Sequence, residues 1–127
     1  MSNEGIYIVA PEGTAWPLTV PEVHEQVLAR WPGAFAEVVD IGGHACLSFD
    51  VDVDGQSRNG LYVEGSNLGL RDGSPRIWAE TIAWFLALLP PDAPVVCALE
   101  AVPTPVPLRR DAPPQEIVDV LEELDSR

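Results

Sequence analysis

The stretch Ser74 to Leu89, SPRIWAETIAWFLALL, restricts the possible folds of this chain more than any other. Ser74 carries a helix N-cap side chain. Pro75 suits the first helical position, where a backbone N–H would have no intrahelical partner. Eleven of the fifteen residues from Pro75 to Leu89 are apolar, and Pro90-Pro91 stops the run. Arg76, Glu80, Ala83 and Ala87 form the only thin polar-or-small stripe, so Trp78, Trp84, Phe85 and Leu88 all need cover. A helix this apolar is buried around most of its circumference, either under its own domain or against a second copy of the chain. It spans ~22 Å at 1.5 Å per residue, too short for a hydrocarbon core of ~30 Å.

The other clear periodicity runs from His44 to Asp54. Leu47, Phe49, Val51 and Val53 alternate with Cys46, Ser48, Asp50, Asp52 and Asp54, which is a strand with one packed face and one wet or functional face. Phe35 to Ile41 reads as its partner across a Gly42-Gly43 turn. Leu61 to Glu64 returns antiparallel after a turn over Gly55 to Gly60, and Leu68-Gly69-Leu70 follows a second break. Ile6 to Ala10 and Val95 to Leu99 are short apolar runs suited to strands buried on both faces. Met1 to Gly5 reads as a frayed end.

Two more helices are expected. Thr19 and Glu22 have capping-box spacing, with Pro21 in the first turn, and Val20, Val23, Val27, Leu28 and Trp31 make one stripe before Pro32-Gly33. Asp111 with Pro113-Pro114 opens the last helix, whose apolar residues are Ile117, Val118, Val120, Leu121 and Leu124. Its late acids oppose the helix dipole, at a cost of only tenths of a kcal/mol per charge. Between these lie Pro103, Pro105 and Pro107. Residues two apart in a strand aim their N–H groups at the same edge, so these prolines delete donors from one edge only. This predicts an edge strand blunted against further pairing. A polyproline ligand would space its prolines three apart. The expected fold is α+β in one domain, residues 1–127: an antiparallel sheet of four to six strands with two or three helices packed mainly on one face.

Twenty acidic residues face seven basic ones, all arginine, for a net charge of −13. That field opposes nucleic acid and anionic membrane and favours a basic protein partner. Arginine without lysine, beside many Ala, Gly and Pro, also fits a GC-rich genome, and acidity alone serves solubility. No signal-peptide pattern precedes the apolar run at Ile6, so the expected location is the cytoplasm, with Cys46 and Cys97 as reduced thiols.

Chemical motifs are few. Asp50 to Gly55 matches the opening DxDxDG of an EF-hand loop, but position twelve is Leu61 where a bidentate Glu is required. His44 and Cys46 could approach one ion, yet a zinc site needs three or four ligands and only His24 could add an imidazole. Neither histidine stands in a nucleophile–base arrangement with a cysteine, and there is no GxSxG, GxGxxG or Walker loop. No cofactor, metal or catalytic residue is expected.

The preferred reading is a small acidic, non-catalytic protein-binding module that meets a basic partner through Asp50, Asp52 and Asp54 or through the last helix. A homodimer seam along the apolar helix is the accompanying expectation. In size, charge and composition the chain is similar to toxin-neutralising immunity proteins, and its element order looks like that of secretion chaperones. Neither likeness rests on a motif, so neither transfers a functional residue. The alternative is an enzyme or small-ligand-binding domain with a pocket between the apolar helix and the sheet, near Trp78 or Trp84.

Overall fold

A computed structural model describes residues 5–126. The elements follow the order β1 (Ile6–Val9), α1 (Val20–Arg30), β2 (Phe35–Ile41), β3 (His44–Val53), β4 (Gln56–Val63), β5 (Asn67–Leu70), α2 (Pro75–Leu86), β6 (Val96–Leu99), β7 (Val102–Pro107) and α3 (Pro114–Asp125). All seven strands join one antiparallel sheet in the order β2-β3-β4-β5-β1-β6-β7. The α+β expectation holds, but the strand count exceeds four to six. The short strands β5 and β7 account for the excess, and the turn before β4 is tighter than expected. The Asp54-Gly55 pair alone makes the turn, with φ of 56° and 80°, so β4 starts at Gln56 where the sequence suggested a longer turn. Leu68-Gly69-Leu70 is a full strand. The proline-rich segment also pairs, as β7 at the edge, where missing donors do no harm.

β1 sits centrally and splices the meander β2–β5 to the hairpin β6–β7. Its four residues have strand character in the sequence, which does not tell the strands they pair with. Only its Ile6 and Ile8 side is buried; Tyr7 and Val9 are half-exposed, so it is not covered on both faces as expected. Gly5, expected to fray, is anchored: its N–H donates to Glu100 Oε1 at 3.1 Å and its carbonyl accepts from Glu100 N at 3.0 Å. The rest of the expected frayed end, Met1 to Glu4, lies outside the described residues.

The helices form as their caps dictate. Thr19 and Glu22 close the capping box, and Glu64 Oε2 accepts from the neighbouring Val20 N–H at 2.7 Å. Ser74 caps α2 through the Ile77 N–H. α2 ends at Leu86, three residues before the expected Leu89, where Arg110 Nη2 donates to the Leu89 carbonyl at 2.7 Å. α3 has Pro113 at its N-cap and no side-chain cap, although Asp111 stands near.

All three helices bury their apolar sides against one face of the sheet. That core joins Leu47, Phe49, Val51, Tyr62, Leu68, Leu70, Ile6 and Ile8 from the strands to Val23, Val27, Trp78, Ile82, Phe85, Ile117 and Leu121 from the helices. α2 lies inside it: Trp78 and Phe85 are at 0% exposure, and Trp84 is half-buried against Trp31 with ring centroids 4.9 Å apart. The rest of the domain therefore covers this helix, with no second copy needed along it. Trp16 also belongs to the core, edge-on to Phe85 and donating from Nε1 to the Pro94 carbonyl.

Candidate functional site

Antiparallel registers propagate the alternation of β3 across the whole sheet, because a partner residue points to the same face. With Leu47, Phe49 and Val51 inward, the opposite face carries two transverse rows. One reads Val39, Cys46, Val63, Asn67, Val9, Val96 and Pro107, one residue from each strand. The next reads Glu37, Ser48, Leu61, Gly69, Tyr7 and Ala98. Tyr7, Val9, Val39, Leu61, Val63 and Val96 are each half-exposed, and none belongs to the core or packs against it. The Tyr7 ring lies over Gly69, where an added Cβ would come within 3.1 Å of Cε1. This face is therefore apolar along its middle and bears no helix.

The aspartates occupy one end of it. Asp50 is half-buried on the open face opposite Asn59, whose Nδ2 donates to Oδ1 at 3.1 Å, and Asp52 is exposed opposite Ser57. Asp54 departs from them. It sits in the left-handed region at the β3–β4 turn and borders a cleft of about 530 Å³ lined also by Arg76 and Glu80. The structure thus keeps Asp50 and Asp52 on the open face and moves Asp54 to the rim, because period two ends where the turn begins. The described salt bridges, Arg76–Glu122, Arg109–Asp111 and Arg109–Glu116, include none of the three. Asp50 and Asp52 also border a cleft of about 560 Å³ with Arg30, Trp31 and Phe35, where the Arg30 guanidinium stacks on the Trp31 ring at 5.1 Å.

The acids of α3 are less available than their sequence suggests. Glu122 pairs with Arg76 at 3.1 Å, and Glu116 accepts two hydrogen bonds from Arg109, which hold its carboxyl below the usual range.

Groups capable of chemistry are dispersed. Cys46 faces the open side and Cys97 the core, with β4, β5 and β1 between their strands, so both are free thiols. Burial raises the pKa of each, that of Cys97 to about 11, which disfavours the reactive thiolate. His44 is exposed on β3 while His24 lies on α1 in the helical layer. Among the described residues no three His, Cys, Asp or Glu side chains cluster to hold a metal ion. Trp78 is fully buried and donates from Nε1 to the Arg71 carbonyl at 3.2 Å; neither it nor Trp84 lines either of these clefts.

Sequence reading missed three residues with defined structural tasks. The Tyr62 hydroxyl donates to the Leu18 carbonyl at 2.6 Å and accepts from the Gly65 N–H at 2.9 Å, locking the loop before α1 to the β4–β5 turn. Glu64 caps α1 from that same turn. Buried Arg58 donates to the carbonyls of Val53 and Asp72. Only a pairing register would have joined Tyr62 to Leu18 and Glu64 to Val20, since each pair is 44 residues apart in the chain. The chain matches no family model, no curated protein and no solved structure, and no helix among its described residues is long and apolar enough to cross a membrane.

Proposed function

We propose that this protein is a non-catalytic binding module whose open sheet face receives a basic protein partner. The observation that carries the reading is the helix-free face itself: a middle of half-exposed Tyr7, Val9, Leu61 and Val63 beside Glu37, Asp50 and Asp52. An apolar patch rimmed by charge is the usual make-up of a protein-contact surface. With a net charge of −13 behind it, the acidic end would select and orient a partner carrying arginine or lysine next to an apolar patch. Among the three aspartates, Asp50 and Asp52 would make direct contact, and Asp54 would act from the rim.

The test is capture from lysate of the native cells at low and high salt, with the wild-type chain beside the triple variant Asp50→Asn, Asp52→Asn, Asp54→Asn. The expected result is a basic protein held by the wild type at low salt and lost at high salt or with the variant. Retention that ignores both the salt and the substitutions would refute the electrostatic reading.

A further inference from the structure

The two edges of the sheet are built differently. At β7, Pro103, Pro105 and Pro107 are exposed and offer no donor. At β2, Phe35 to Ile41 contains no proline, and among the described residues no strand pairs with its outer side. Among the described residues, the exposed large hydrophobic side chains are Phe35 at 58%, Val38 at 57%, Ile41 at 51% and Leu28 at 42%. Three of these lie on β2, and the fourth is on α1, the helix packed beside it. A long, proline-free, apolar edge is a ready template for another strand. We infer that β2 pairs antiparallel with β2 of a second copy of this chain, about a two-fold axis through Val38, fusing two seven-stranded sheets into one.

The register follows from residues already placed. Ile41 and His44 flank the two-residue Gly42-Gly43 turn, so they form a hydrogen-bonded pair, as do Val39 with Cys46 and Glu37 with Ser48. The alternate residues Ala36, Val38 and Asp40 therefore aim their backbone groups outward. Pairing these with one another around Val38 sets Phe35 against the partner's Ile41, Glu37 against the partner's Val39 and Ala36 against the partner's Asp40. Val38 meets the partner's Val38. Every exposed apolar side chain of the strand gains cover, all seven residues pair, and no acid stands directly opposite an acid. Moving the axis to residue 37 or 40 would oppose Glu37 or Asp40 to its own copy, which is unfavourable. Moving it to residue 39 would leave Phe35 unpaired. The symmetric register is the one that reconciles full pairing with a chain carrying −13.

A second copy, unlike a basic partner, brings the same charge. Self-association should therefore strengthen with salt, the reverse of the dependence expected for the open face, so the two ideas fail separately. Sedimentation of the full chain over a range of concentrations, at about 50 and about 500 mM salt, tests this. A dimer whose dissociation constant falls at high salt is expected; a monomer throughout, or a dimer weakened by salt, would overturn the inference. Val38→Glu, which opposes two carboxylates on the axis, should weaken association at least roughly tenfold, and an unchanged dimer would refute the assigned edge. Should that variant not fold, cysteine crosslinking decides, since Cys46 and Cys97 are buried. Val38→Cys should oxidise to a covalent dimer, its two Cα atoms lying about 5.5 Å apart across the axis. Ala36→Cys should not, its two copies being displaced by roughly 13 Å along the strands. The opposite pattern would disprove the register.

Discussion

The two faces of the sheet come from the same seven strands, yet they have opposite mechanical roles. On the inner face Phe49 lies across Gly60, where a Cβ would stand only 2.5 Å from the ring, and Tyr62 contacts Phe85 at 5.6 Å between centroids. On the outer face the neighbours of those residues, Ser48 and Leu61, oppose one another half-exposed, with none of the three described helices above them. One step along a strand separates a fully packed side chain from a half-exposed one. The lesson is that stability and the chemistry of the open surface can be altered almost independently in this molecule, provided substitutions respect the pleat.

The sharpest way to break the contrast is Phe49→Ala. It should cost about 3–5 kcal/mol through lost burial and a cavity beside Gly60, read as a fall in the denaturant midpoint; a loss below about 1 kcal/mol would show that the inner face is not tightly packed. An alkaline titration comes next. Burial raises the Tyr62 hydroxyl to about 12 and the Cys97 thiol to about 11, each above its ordinary value. Both groups are favoured neutral in the folded state. Their contribution is complete below the unfolded values, near 8.5 for Cys and 10 for Tyr, and is lost as pH rises through the folded ones. Unfolding monitored by circular dichroism should show stability declining from about pH 8.5 to 12 by an order of 2 kcal/mol per group. Cys97→Ala should remove the earlier part of that decline and Tyr62→Phe the later part. If the curve stays flat to pH 12, neither group is desolvated as described.

A smaller effect is expected for Thr19→Ala, which removes the α1 cap hydroxyl and should cost about 1 kcal/mol. Glu64 still accepts from Val20, so a loss well above 2 kcal/mol would mean that the capping box holds more than the helix end. Smallest of all should be Leu61→Ser on the open face, within about 0.5 to 1 kcal/mol. A melting temperature that fell as far as for Phe49→Ala would show that this face is part of the packed interior.

Much of this contrast was legible beforehand. The alternation in His44 to Asp54 assigned Leu47, Phe49 and Val51 to the interior, and Asp50 and Asp52 to the other side, because a pleat reverses side chains at every residue. Thr19 with Glu22, and Ser74 with Pro75, marked two helix starts through interactions spanning three residues. The alternate prolines marked a sheet edge. What escaped was non-local. Residues Asn67 to Leu70 are too few to show a period of their own, and β1 could be located only once Ile6 and Ile8 were set against Leu70 and Leu68 on one side and Leu99 and Cys97 on the other. Asp54 looked equivalent to Asp50 and Asp52 until the turn rotated it away.

Taken alone, the sequence determined which side chains had to leave water and where the backbone had to start, stop or turn, since propensity, capping and alternation act over a few neighbours. The tertiary structure alone decided the order of the strands across the sheet, that β1 joins the meander to the last hairpin, and that β2 rather than β7 keeps an open, apolar edge. Those outcomes depend on pairing between residues as far apart as Gly5 and Glu100. Such contacts become favourable only after the whole chain has closed around its core, and no short window of sequence records them.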